Sequence, residues 1–364
     1  MLVEGAILDA DGPRAAYVRL REGRVVETGA RGTDSSHGRE RRISGIVIPS
    51  PVNGHTHLGD AMSTREPPPG PLARLVQPPH GYKFRLLATT PPSEKIRAMR
   101  AALARMQRAG VAVTIDFREE GRDGVRLLRS AARASGVRTV ILGRPLARPI
   151  DRDELAEVLR VADGIGLSSA RDETVETRRA VARACRTRRK PFALHASEAA
   201  REDPTAYLEP RPDLLVHLTE ATRDDLAAVE RAGVPVAVCP RSNALFGRQP
   251  DLRAMERLGV TLFLGTDNAM FHSPSIWREL EFAYVGSRLR HRPVSALYLA
   301  GAALVEPWKW LGVPGAARVA PGTEVRPLVL RLPSDDPAYQ VVTRTTEHLI
   351  LRFGTRRAPP QGGA

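Results

Sequence analysis

Between residues 45 and 265 the chain alternates short apolar runs with amphipathic stretches, and does so eight times. The runs are 45–53, 111–117, 137–143, 164–168, 192–195, 214–218, 234–239 and 260–265. Several are continuously apolar, the pattern of strands buried on both faces and hence of a parallel sheet. The stretches between them carry helical periodicity. In SEKIRAMRAALARMQRAG, Ile96, Met99, Leu103 and Met106 share one face, with Ser93 placed to cap the start and Gly110 the end. Eight such strands in sequence, most of them followed by a helical pattern, predict a (β/α)8 TIM barrel. An open doubly wound sheet is the weaker alternative, because no Gly-rich phosphate loop follows the first run.

The two ends read differently. VRLREGRVVETG predicts a hairpin turning at Glu22-Gly23, and PLVLRL and EHLILRF predict strands near the C-terminus. The expected α/β architecture is therefore a barrel over 45–319 with a small β-sandwich domain formed from the N- and C-terminal segments, 1–44 and 320–356. Residues 58–92 are proline-rich without a clear helix and are expected to form a lid or binding loop. The tail APPQGGA is expected to fray, and Trp277, Trp308 and Trp310 read as packing residues.

Composition excludes several classes. The net charge is +14, from 55 basic and 41 acidic side chains, which suggests a polyanion partner. Yet lysine occurs only at 83, 95, 190 and 309, the arginines are dispersed, and aromatic residues make up 5%. A nucleic-acid surface needs clustering, so none is expected. The longest apolar runs (111–115, 234–238, 260–264) fall far short of the ~20 residues of a membrane span. The acidic start MLVEGAILDADG does not resemble a signal peptide, and Cys185 and Cys239 alone form no disulfide framework. A cytoplasmic chain is expected.

The chemistry gathers at strand ends. His55 and His57 in NGHTH close the first run, and positions i and i+2 of a strand project to one side, where two imidazoles can share a metal ion. His195 closes the fifth run, His217 the sixth, and Asp267 follows the eighth. All five sit at the C-terminal ends of strands, where barrel active sites form. Singly each reads as a hydrogen-bonded core residue; together they exceed what packing asks for. His37, His80, His272, His291 and His348 lack this placement and read mostly as surface residues, though His80 and His272 lie in rim loops within reach of a substrate.

HTH after strand 1, HxxE (His195 to Glu198) after strand 5, His217 after strand 6, PxSN (Pro240 to Asn243) after strand 7 and GTD (Gly265 to Asp267) after strand 8 resemble the metal-dependent amidohydrolase superfamily. The similar branch contains the cytosine, guanine and S-adenosylhomocysteine deaminases and triazine hydrolases. The chain departs from its usual patterns in Ile48-Pro49-Ser50-Pro51-Val52 and in Val216-His217-Leu218-Thr219. The resemblance implies that His55, His57, His195 and Asp267 bind one divalent ion, zinc or else ferrous iron. Two-metal members bridge their ions with a lysine after strand 4, and GIGLSSARD has none. The implied mechanism is attack by metal-bound hydroxide on a ring carbon. Asp267 takes the water's proton, Glu198 protonates the ring nitrogen and then the leaving ammonia, and His217 orients the water and stabilises the new oxygen centre.

Arg118, Glu119, Arg144, Arg241, Asn243 and Asn268 are rim candidates for substrate contact. The arginines suit a carboxylate or phosphate, although each taken singly reads first as an internal ion-pair partner. The expected function is a hydrolase of C–N bonds other than peptide bonds, deaminating a purine-, pyrimidine- or pterin-like N-heterocycle. The competing readings are a cyclic amide or chloro-triazine hydrolase on the same site, an inactive binding protein on the barrel, and a basic nucleic-acid binder. The expected partner is a small-molecule substrate, with no nucleic acid and no membrane; a homo-oligomer stays open.

Overall fold

The computed structural model describes residues 1–34 and 40–351. Strands β1 (Leu2–Asp9), β2 (Gly12–Arg21) and β3 (Arg24–Ala30) form an antiparallel meander. The β2–β3 turn is Glu22-Gly23, with φ of 51° and 76°. Two successive left-handed residues give a two-residue turn the twist of its strands. β4 (Arg42–Ile48) then pairs parallel to β1.

Pro49-Ser50-Pro51 ends that ladder, since proline has no N–H to contribute. β5 (Val52–His57) opens a second sheet, followed by β6 (Val113–Arg118), β7 (Arg138–Gly143), β8 (Gly164–Leu167), β9 (Phe192–Ala196), β10 (Leu214–His217), β11 (Val236–Val238), β12 (Leu262–Leu264) and β13 (Asp267–Asn268). Pairing is parallel, in the order β12-β11-β10-β9-β8-β7-β6-β5-β13. One stretch, 262–268, therefore holds both edges: β12 pairs with β11, and β13 pairs with β5. Between them Gly265 N donates to Val238 O and Thr266 N to His55 O, each at 2.9 Å. The curled nine-strand sheet fits a TIM-like barrel. Its outer helices start from side-chain caps: Asp151, Thr174, Thr222 and Asp251 each accept a backbone N–H of the first turn. Among the described residues no helix is long and apolar enough to cross a membrane.

β14 (Leu328–Leu330) and β15 (Ile350–Leu351) join the first sheet in the order β15-β14-β4-β1-β2-β3, so both ends of the chain build it. One face packs Val3, Ile7, Val18, Val47 and Val329 together. The other, with Leu8, Ile46, Ile48 and Leu330, is continuous with the barrel core. The sandwich expected from the sequence differs from this: among the described residues the ends make a single sheet, and barrel-core side chains take the place of a second one.

Other boundaries also moved. The first barrel strand is Val52–His57 rather than 45–53, because residues 45–48 complete β4. The helix expected from Ser93 starts at Pro92, where a first-turn proline loses no hydrogen bond. Residues 58–92 contain helices at Leu72–Val76 and Tyr82–Thr89, and a helix at Pro337–Arg344 separates the two C-terminal strands. The tail APPQGGA, His37 and residues 352–356 lie outside the described residues.

Candidate active site

At the C-terminal rim the five residues singled out by strand position come together. His57 and His195 are fixed by what their Nδ1 atoms meet. His195 Nδ1 lies 2.8 Å from Leu167 O, and His57 Nδ1 lies 3.0 Å from Phe117 O and 2.7 Å from Glu119 Oε1. Those acceptors place the ring proton on Nδ1, which leaves Nε2 as a lone pair. The two Nε2 atoms face each other at 3.3 Å, and Asp267 Oδ1 lies 3.6 Å from that of His57 and 3.3 Å from His55 Nε2. Neither ring nitrogen of fully buried His55 has a hydrogen-bond partner, nor does Asp267 Oδ1. Ser242 Oγ donates to the other carboxylate oxygen. Electron-rich atoms converging with no proton between them repel one another unless a cation lies among them. The donor set, three imidazole nitrogens and one carboxylate, fits zinc or ferrous iron.

Electrostatics agree with that form. Burial pushes the His55 ring down to about 4 and the His57 ring to about 3, and holds His195 well below the ordinary range. Neutral rings are the ligand form. Burial alone would raise Asp267, but the adjoining rings of His55, His217 and His57 hold its carboxyl well below the usual range.

Beside this cluster Glu198 Oε1 lies 3.4 Å from His217 Nε2. Asn243 Nδ2 donates to His217 Nδ1 at 3.3 Å, which leaves the His217 proton on Nε2, facing Glu198. Burial raises the Glu198 carboxyl; His217 opposes the shift and Asp267 adds to it. A cavity of about 240 Å³ opens over these groups, lined among others by His57, Lys83, Arg144, His195, Glu198 and Asn268.

The Amidohydrolase family profile matches residues 46–303. The chain belongs to the amidohydrolase family. It is thus a hydrolase of C–N bonds other than peptide bonds. This amidohydrolase is 33% identical over 330 residues to a provisionally named aminohydrolase of Methanothermobacter thermautotrophicus, covering 84% of each chain. Its fold matches a guanine deaminase from C. acetobutylicum solved with bound guanine, at a TM-score of 0.76, 13% identity and coverage of 96% and 97%. It also matches an atrazine chlorohydrolase from Arthrobacter aurescens complexed with zinc, at a TM-score of 0.75, 16% identity and coverage of 96% and 94%.

The rim candidates of this amidohydrolase have separate fates. Arg144 and Asn268 line the cavity. Asn243 holds His217 instead. Arg118 is not at the cavity: it is 1% exposed, tucked under Gly59, with its guanidinium bound to Asp116 at 3.3 Å and to Glu119. Gly59 has no Cβ where that guanidinium lies, which lets the arginine turn inward. Arg241 is committed to Glu279 at 2.6 Å and Ser273 O at 2.9 Å. Glu119 braces His57 rather than facing substrate. His80 is exposed, and half-buried His272 lines a separate cavity with residues 63–70.

Lys83 was missed by sequence reasoning. It reaches in from the Tyr82–Thr89 helix, 2.5 Å from Glu119 Oε1 and 2.8 Å from Asn268 Oδ1. The available signal was its rarity, one of four lysines among 55 basic residues. Asp60 was missed as well; it accepts from Met270 N at 3.0 Å and lies 3.8 Å from Lys83.

Proposed function

We propose that this amidohydrolase is a mononuclear aminohydrolase that releases ammonia from an amino-substituted purine-, pyrimidine- or pterin-like ring. The observation that carries the reading is the convergence of lone-pair atoms of His55, His57, His195 and Asp267, those of His55 and Asp267 without a hydrogen-bond partner, beside the Glu198–His217 pair. These four residues would hold one divalent ion, which when bound lowers the pKa of a coordinated water toward neutrality. A single ion is favoured because the stretch after β8, Ser168-Ser169-Ala170-Arg171, has no lysine. Lys190 instead donates to Leu159 O and Ala162 O, before β9 rather than after it.

The chain's own residues divide the proton work. Asp267 stays ionised at neutral pH and accepts a proton at Oδ1. Glu198, raised by burial, gives one proton to the ring nitrogen and then passes a second, drawn from the water, to the departing amine. His217 donates from Nε2 to the oxygen that forms at the attacked carbon. The likeness to a guanine deaminase supports an amine leaving group. The likeness to an atrazine chlorohydrolase supports the second reading, chloride or amide loss at the same site.

The test is metal analysis of purified protein together with ammonia release across aminopurines, aminopyrimidines and aminopterins. One tightly held ion per chain and ammonia release are expected. Activity confined to amides or chloro-triazines would select the second reading, and absence of a tightly held ion would overturn both.

A further inference from the structure

We infer that the substrate carries an anionic group, a carboxylate or a phosphate, that pairs with Arg144. The inference rests on the aminohydrolase reading of the same cavity and narrows its substrate class.

The argument is an accounting of charges. Arg118 pairs with Asp116 and Glu119, Arg241 with Glu279, and Lys83 with Glu119. Arg144 differs. It leaves the end of β7 7% exposed and lines the cavity, yet among the described residues no carboxylate lies within ion-pair distance of it. Its one side-chain hydrogen bond there runs from Nε to Gly166 O at 3.3 Å, which fixes the stem and leaves the terminal nitrogens uncommitted. The acids lining the cavity are engaged elsewhere. Asp172 accepts from Ser168 and lies 3.8 Å from Arg148, while Glu202 accepts from Ser169 and Ser197 N at 2.8 and 2.9 Å and lies 3.4 Å from Arg171. Glu198 and Asp267 belong to the proton machinery.

A buried guanidinium without a counter-ion is strongly disfavoured, and folded proteins pair such charges. Desolvation already pulls Arg144 below its ordinary value. A ligand that brings its own negative charge removes the penalty, and a guanidinium fork suits the two oxygens of a carboxylate or phosphate. A neutral heterocycle would leave the charge unmatched.

The experiment compares two pairs of probes on metal-loaded protein: adenosine with adenosine 5′-monophosphate, and pterin with pterin-6-carboxylate. Affinity is read by calorimetry, with kcat/KM for ammonia release measured in parallel. At least one anionic member should exceed its neutral partner by about tenfold or more, and the preferred pair tells phosphate from carboxylate. Arg144→Gln should shrink that ratio by on the order of 10- to 100-fold, and Arg144→Lys should restore part of it. The melting temperature of Arg144→Gln should hold or rise, because an uncompensated buried charge is gone. Equal handling of charged and neutral members in both readouts, or an unchanged ratio in Arg144→Gln, overturns the inference. Anion-selective binding with no ammonia from any probe supports it and overturns the deaminase reading alone.

Discussion

Gly265→Ala tests whether the seam of the barrel and the proposed metal-ligand cluster are one structure. Gly265 lies between β12 and β13, on the segment that holds both sheet edges and carries Asp267. A Cβ there would stand 2.6 Å from His55 Cβ, 2.7 Å from His55 N and 2.8 Å from His55 O. None of these atoms is the end of a flexible side chain. Ordinary contact begins near 3.4 Å, so the strands must part by about 0.8 Å (3.4 less 2.6). Forced separation of packed elements costs about 1–3 kcal/mol, or a fall of roughly 1–4 °C in melting temperature for a chain of this size. The displacement falls between His55 and Asp267, two residues of the proposed ligand set, and a shift near 1 Å costs about 10²-fold in rate. Metal content, melting temperature and kcat/KM should therefore fall together. Gly301→Ala is the matched control: it sits inside the Ala296–Leu304 helix with nothing within 4 Å of its would-be Cβ, and it should be neutral or stabilising by up to about 1 kcal/mol. Full metal occupancy and full turnover in Gly265→Ala would refute the claim that closure and ligand geometry are coupled.

Glu198→Gln should keep the fold and the bound ion, because Glu198 is outside the proposed ligand set, and should lose about 10²–10⁴-fold in turnover; retained activity would remove Glu198 from proton transfer. Lys83→Met takes away the cation 2.5 Å from Glu119 Oε1 and so loosens the brace on His57. Zinc affinity, read by competition with a chromophoric chelator, should weaken about 10- to 100-fold, and an unchanged value would show that Glu119 holds His57 unaided. At Asp225 burial favours the protonated form, but hydrogen bonds from Arg201 at 2.7 and 2.8 Å and from Thr222 N at 2.9 Å outweigh it and lower the carboxyl below its usual 3.8. A depressed folded value gives stability that is complete above the unfolded pKa and is lost as pH falls through the folded one. Melting temperatures from about pH 6 down to about pH 3 should therefore drop more steeply in the wild type than in Asp225→Asn, and parallel curves would refute the linkage.

The candidate site was legible because its geometry is encoded by strand ends. His55 and His57 need only a period of two, and His195, His217 and Asp267 need only the ends of apolar runs, so short local patterns located all five. Longer-range geometry was less accessible. Residues 45–48 are as apolar as any barrel strand, and nothing local says that β4 pairs with β1 and β14 instead. Proline in 58–92 hid two short helices, one of which delivers Lys83. The arginines show the limit most clearly. Arg118, Arg144 and Arg241 read alike as rim residues, and they are separated only by whether Asp116, Glu119 or Glu279 lies within reach. The +14 charge, first a hint of polyanion binding, comes down at the cavity to the guanidinium of Arg144, which no carboxylate among the described residues pairs.

The rim is also where the backbone departs from what its residues prefer. Ser197, His217, Leu218 and Asp267 have φ of 47°, 76°, 49° and 58°, a region that suits glycine. Such conformations cost of order 1–3 kcal/mol each and persist only where their surroundings impose them. At 197, 217 and 218 they accompany hydrogen bonds that turn the chain off the barrel: Leu218 N to Ala196 O at 3.0 Å and Glu220 N to Ser197 O at 2.8 Å. A glycine at 217 or 267 would relax the backbone and delete a functional group. Those positions therefore hold strained residues whose side chains the proposed chemistry uses, on a rigid sheet that keeps them aimed at one point. Local stability and function are opposed at these few residues, and the closed sheet beneath them supplies the stability that the rim gives up.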